Sequence, residues 1–173
     1  MNFKLVEPTL EMEKEYNNYI SEWEKSGEEI VPYASRRSIG EYGKLITCWK
    51  DQTTSKSYEE GLVPASLYFL IDENMRIYGA LHIRHELNDY LLNYGGHIGY
   101  GIRPCERKNG YATKMLSLSL SIVKGLGIKK ALVTCDKNNI ASAKTIIDNN
   151  GMLENEVIES ERVTQRYWIK IKV

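Results

Sequence analysis

The segment from Gly96 to Gly127 constrains the fold most, because three kinds of local structure meet in it without slack. Gly96–Arg103 (GHIGYGIR) reads as a strand, and Pro104 stops it by lacking an N–H and fixing its own φ. A basic turn follows, Arg107-Lys108-Asn109-Gly110-Tyr111-Ala112-Thr113, and runs straight into an amphipathic stretch. Ala112, Met115, Leu116, Ser119, Ile122, Val123 and Leu126 recur at helical spacing, and Gly127 ends the helix. A glycine and a small residue at a helix entry let backbone N–H groups approach an anion closely. Those first N–H groups lack internal acceptors, and the helix dipole adds positive potential there. Arg107 and Lys108 add formal charge, so the turn suits a pyrophosphate held mostly by backbone. The competing reading is a basic loop that merely precedes a helix. Gly99-Tyr100-Gly101 is not a dinucleotide fingerprint, since Pro104 stands where the third glycine belongs, and no GxxxxGK[ST] occurs.

The rest of the chain narrows the surroundings of that turn. Its 173 residues fit one domain, 1–173, with enough apolar content (42%) to build a core without staples. Lys+Arg and Asp+Glu both number 23, and the basic excess that phosphate neutralisation demands of a nucleic-acid binder is missing. Nucleic acid is therefore not an expected partner. Cys48, Cys105 and Cys135 form no CxxC pair, and His82, His85 and His97 make no metal-ligand pattern with them. The charged first thirty residues do not read as a signal peptide, and no apolar run approaches the roughly 20 residues that span a bilayer. The expectation is a cytoplasmic protein with reduced thiols, no metal and no membrane partner.

Periodicity gives the order β-α-α-β-β-β-α-β-α-β-β, a mixed α/β (α+β) fold. Strands are expected at 3–7, 66–71, 76–83, 96–103, 131–135, 152–159 and 165–172. Helices are expected at 9–26, closed by Gly27, then after a Ser38/Glu41 capping box, at 111–126, and at 139–149 with Gly151 as C-cap. Residues 50–64 and 84–95 read as irregular connections.

The segment HIGYGIRPCERKNGYATKML, with Arg107, Gly110 and Ala112 in an R-x-x-G-x-G/A pattern, resembles the GNAT (GCN5-related N-acetyltransferase) superfamily. The likeness continues through ALVTC and NNIASAKTIIDNNG, and uncharacterised bacterial acetyltransferases share a RHELNDYL segment. The resemblance implies a central sheet of about seven strands whose fourth and fifth members splay apart, with helices on both faces. It also implies acetyl-CoA as co-substrate, with Arg107, Lys108, Asn109, Gly110, Tyr111, Ala112 and Thr113 around its diphosphate. The Ile102 N–H would face the acetyl carbonyl as an oxyanion donor, and Asn139 and Ser142 would line the pantetheine channel. Asn139 is equally suited to helix capping, and Ser142 to close packing. Transfer to a primary amine of a small molecule or peptide by direct attack is the implied reaction. A non-catalytic acyl-CoA-binding module is the alternative, and homodimers are frequent in the family.

The proton acceptor is not legible. Family members place Glu or His six or four residues before the position of Ile102, where this chain has Gly96 and Ile98. His97 lies between them, and strict alternation aims it at the opposite face unless a bulge re-aims it. The leaving-thiolate acid, a Tyr on the next helix in many relatives, is replaced by Ile147; Tyr100, Tyr111 and Tyr167 are substitutes. Glu86, with His85 and Asp89, forms a second base candidate, set against a solvated turn. His82, on an apolar strand, reads as a satisfied core histidine. Cys105 and Cys135 have no activating His at useful spacing. The aromatics Trp23, Tyr33, Tyr42, Trp49, Tyr58 and Tyr68 read as core or rim, with some available as a cation-attracting wall.

Overall fold

A computed structural model describes residues 2–36 and 40–172, Glu159 by its backbone alone. Seven strands form one sheet in the order β1-β2-β3-β4-β5-β7-β6. They are β1 (Lys4–Val6), β2 (Ala65–Ile71), β3 (Ile77–Arg84), β4 (Ile98–Ile102), β5 (Lys130–Asp136), β6 (Met152–Glu159) and β7 (Arg162–Lys170). Helices α1 (Glu13–Ser26), α2 (Tyr42–Gln52), α3 (Lys56–Glu59), α4 (Tyr111–Gly125) and α5 (Ile140–Asp148) flank it. Every strand pairing is antiparallel except β4 with β5. The sheet is mixed because β5 follows β4 through a crossover helix, α4, which a parallel pair requires.

Alternation along the strands sends side chains to two separate cores. Leu81, Ile83, Ile98, Ile102, Val133 and Tyr167 meet Met115, Leu116 and Val123 of α4 and Ile146 of α5 on one face. On the other, Leu67, Phe69 and Ala80 meet α1 and α2. That second core is aromatic: Tyr16, Tyr19 and Trp23 recur three and four apart on α1, and Tyr16 meets Trp49 of α2 edge-on at 5.7 Å. Such ring pairs add about 0.5–1.5 kcal/mol each beyond their buried area. The N-terminal aromatics Trp23, Tyr42 and Trp49 are thus core, whereas Tyr33 and Tyr58 are exposed. Gly27 closes α1 in the left-handed region at φ 68°.

Four local expectations need correction. The 50–64 connection holds the end of α2 and all of α3, because Ser and Thr hydroxyls there close turns on nearby carbonyls, as Ser57 Oγ does on Thr54 at 2.8 Å. Residues Leu91–Gly95 form a π-helical turn, started by Asn88 Oδ1 accepting the Leu91 N–H at 2.9 Å. At the end of α5 Asn150, not Gly151, takes positive φ (64°); Gly151 is needed because a Cβ would lie 2.3 Å from Ile146 Cγ2. Glu41 occupies the N-cap of α2 without a side-chain bond, and Ser38, expected there, lies outside the described residues.

Candidate active site

Strands β4 and β5 pair in register only at Ile98 and Val133, and beyond that point a gap opens between them. The other edge of β4 pairs with β3 throughout. There the Arg103 N–H donates to Tyr78 O at 2.9 Å and the Arg84 N–H to His97 O at 2.8 Å. Antiparallel alternation then turns the main-chain groups of Tyr100 and Ile102 away from β3, toward the gap. Ile102 O is met there by Arg107 Nε at 3.3 Å. The gap broadens into a cleft of about 580 Å³, walled by the turn before α4, the start of α5 and the segment after α1.

Backbone forms the far end of that cleft. Lys108 and Gly110 adopt positive φ (64° and 78°), and Gly110 caps α4 with no side-chain bond. Lys114 N–H reaches Gly110 O, but among the described residues no protein acceptor takes the N–H of Tyr111, Ala112 or Thr113. Uncapped donors at a helix start are suited to an anion. Arg107 stands beside them, ion-paired to Glu28 at 2.8 Å and stacked 4.9 Å from the centre of the Trp23 ring. Lys108 also lines the cleft, whereas Asn109 turns back to donate to Glu106 O at 3.3 Å and does not.

A buried arginine fixes where the turn begins. Arg103, 2% exposed, binds Glu15 at 2.8 Å and Glu22 at 2.5 Å, and the second Glu22 oxygen accepts the Cys105 N–H at 2.8 Å. Burial alone would raise the Glu22 carboxyl, but donors from Cys105 and Arg103 together outweigh it and hold the pKa at about 2.

On the opposite wall Asn139 caps α5, its Oδ1 accepting the Ser142 N–H at 3.0 Å, while both residues also line the cleft. Capping and lining are therefore compatible. The Ser142 hydroxyl lies 3.0 Å from the Tyr100 hydroxyl, which reaches across from β4. Burial pushes the Tyr100 pKa up to about 12, so this phenol stays protonated. Ile147, half exposed, does not line the cleft.

The two base candidates are not brought there. His97 sits on the other face of β4, as alternation demanded, and the β3–β4 register runs unbroken from Gly79/Ile102 to Ile83/Ile98. Its Nδ1 accepts the Leu132 N–H at 2.9 Å, and burial first, then the Arg84 charge, push its pKa down to about 4. Glu86 is exposed and accepts from the Tyr58 hydroxyl at 2.8 Å, while His85 turns to Ser66 at 2.8 Å. Burial lowers the His85 pKa despite the opposing pull of the Glu86 charge, and neither residue lines the cleft. His82 also departs from expectation: its Nε2 is buried with no partner, not satisfied in the core. Sequence reasoning missed Glu28, Glu29 and Val31, which face the turn from across the cleft. Nothing in the chain near Gly27 signals that approach, since it depends on how α1 packs.

By sequence, no curated protein matches. By structure, the ribosomal-protein-S5-alanine acetyltransferase from Vibrio fischeri superposes with a TM-score of 0.71 at 13% identity, covering 99% of this chain and 94% of that one. The microcin C7 self-immunity acetyltransferase, solved with acetyl-CoA and AMP, gives 0.67 at 16% identity over 98% and 92%. A spermidine N-acetyltransferase mutant from Vibrio cholerae gives 0.64 at 10% identity over 98% and 95%. At such identities the likeness establishes the fold. The model of the acetyltransferase (GNAT) domain matches residues 9–152, most of the chain, and the chain therefore belongs to the GNAT acetyltransferase family.

Proposed function

We propose that this protein transfers the acetyl group of acetyl-CoA to a primary amine of a small molecule or peptide by direct attack. One observation carries this reading: the main-chain edge of β4 at Tyr100 and Ile102, left without a strand partner, opens onto the uncapped amides of α4. Acetyl-CoA is the co-substrate, and the cleft fits it on both chemistries. Donors at Tyr111–Thr113 with Arg107 suit a diphosphate, and a bare strand edge suits an amide-bearing arm. Related folds act on amines as different as a ribosomal alanine and spermidine, so the fold alone does not set the acceptor.

The Ile102 N–H polarises the acetyl carbonyl and stabilises the oxygen charge that grows as the amine attacks; one such donor is worth roughly 2.7–4 kcal/mol. When the thioester C–S bond breaks, the protonated Tyr100 hydroxyl, relayed by Ser142, supplies the proton to the departing thiolate. The carboxylates lining the cleft are engaged: Glu28 with Arg107, Glu29 with Arg36, Glu106 with Arg76 and Asp148 with Lys144. The amine therefore enters neutral, having lost its proton to solvent. Accordingly kcat/KM should rise with pH along the acceptor's own amine titration.

Release of free CoA thiol from acetyl-CoA, measured across an amine panel, tests the reading. Turnover with at least one amine, and a rise in melting temperature with CoA, are expected. A CoA shift without turnover on any amine would favour the binding module instead. At about 100 times its dissociation constant CoA should stabilise the fold by roughly 2.7 kcal/mol.

A further inference from the structure

Arginines in this protein come with carboxylates. Arg36, Arg76, Arg103, Arg107, Arg162 and Arg166 each hold one within ion-pair distance. Among the described residues Arg84 is the only arginine without one. It is half-buried at the end of β3, and among the described residues its single side-chain hydrogen bond runs from Nη1 to Gly95 O at 3.2 Å. A guanidinium carries five donors, so most of its capacity is unused. Nearby acids do not serve it: Glu86 is held by Tyr58, and Asp89 is exposed on the connecting loop. A poorly solvated charge left without a counter-ion is costly, and that cost marks it as a waiting ligand site.

Its neighbours point the same way. His82, two residues back on the same face of β3, keeps Nε2 buried and unpartnered. Burial first, then the Arg84 charge, hold its ring neutral, so the pair presents one net positive charge. Register sets His82 opposite Gly99 of β4, and a Cβ on Gly99 would lie 3.2 Å from Arg84 Nη1. The guanidinium thus lies over bare backbone beside Tyr100, whose main chain edges the gap. This is the face opposite α4 and α5. Gly101, next along that face, is covered by the Val31 carbonyl, 2.2 Å from where its Cβ would be. At Gly99 the three atoms nearest that position all belong to the Arg84 guanidinium. Arg84, His82 and Gly99 do not line the cleft itself, so an acceptor held here would reach the gap from the face opposite α4 and α5.

We propose that Arg84, with the orphaned imidazole of His82 beside it, binds a carboxylate of the acceptor, so that the amine substrates are amino acids or similar amino-carboxylates. This rests on the cleft being an acetyl-transfer site. A single positive charge with a planar fork matches one carboxylate better than a dianionic phosphate. Acetyl-CoA's own phosphates belong at Arg107–Thr113, at the other end of β4.

The test compares L-amino acids with their carboxamides as acceptors, with kcat/KM referred to the concentration of neutral amine. It also measures N-acetylglycine and N-acetylglycinamide binding by calorimetry in the presence of CoA. Wild type should prefer the acid by at least about tenfold in both assays, from the ~1.5–3 kcal/mol of a charged hydrogen bond. Arg84→Gln should bring the ratio near one and Arg84→Lys should leave it intermediate, with CoA affinity unchanged in both. Equal use of acid and amide by wild type, or an acid preference that survives in Arg84→Gln, overturns the site while leaving acetyl transfer standing. Variants that lose CoA binding along with acid preference also overturn it, since Arg84 would then be supporting the fold. Arg84-dependent acid binding without turnover would uphold the site and sink the transferase reading.

Discussion

At Gly110 the backbone turns left-handed, at φ 78°, immediately before the free amides of α4. Gly110→Asp would strain that turn and set a carboxylate where a diphosphate must sit, so acetyl-CoA binding should fall at least about a hundredfold by calorimetry. Tyr100 makes a different prediction. Its hydroxyl is tied to Ser142 rather than to the amides, so Tyr100→Phe should lower kcat by about 10²-fold or more while CoA affinity stays within about twofold. Equal losses in both would place Tyr100 in binding instead. Single residues were partly legible in the sequence. Arg107, Gly110 and Ala112 lie within a single turn of chain, so their spacing is already their geometry. Asn139 likewise caps the helix that its position announced. Glu28 and Arg84 carry no such local signature, because what distinguishes them is the partner they have, or lack, across the fold.

Elements were readable where a period runs long enough. The apolar stripe of α4 and the aromatic spacing on α1 survive intact, since each buries one face against the sheet. The π-helical turn at Leu91–Gly95 and the four residues of α3 are too short for any period; side-chain bonds from Asn88 and Ser57 decide them. Between elements, Arg103 joins α1 to the phosphate turn through Glu15 and Glu22. Because the folded Glu22 pKa lies near 2, below its ordinary 4.5, its contribution is full above about pH 4.5 and fades as pH falls through about 2. Stability followed by thermal melts from pH 5 to pH 2 should therefore decline, and Glu22→Gln should flatten that decline. A Glu22→Gln curve parallel to wild type would mean that the join is not an acid-sensitive one.

For the whole molecule, the decisive feature is the divergence of β4 from β5 after one paired position. Family resemblance led to that expectation; no residue pattern states it, because a splay is a relation between strands thirty residues apart. The same distance explains why His97 was a candidate from sequence and is not one in the fold, where it bridges β4 to Leu132 behind the gap. Residue-resolved amide exchange with and without saturating acetyl-CoA tests the whole arrangement most directly. The Ile102, Tyr111, Ala112 and Thr113 amides should gain protection together, while amides already paired between β3 and β4 stay as they were. Acetyl-CoA that binds yet leaves those four amides exchanging at their free rates would contradict the account.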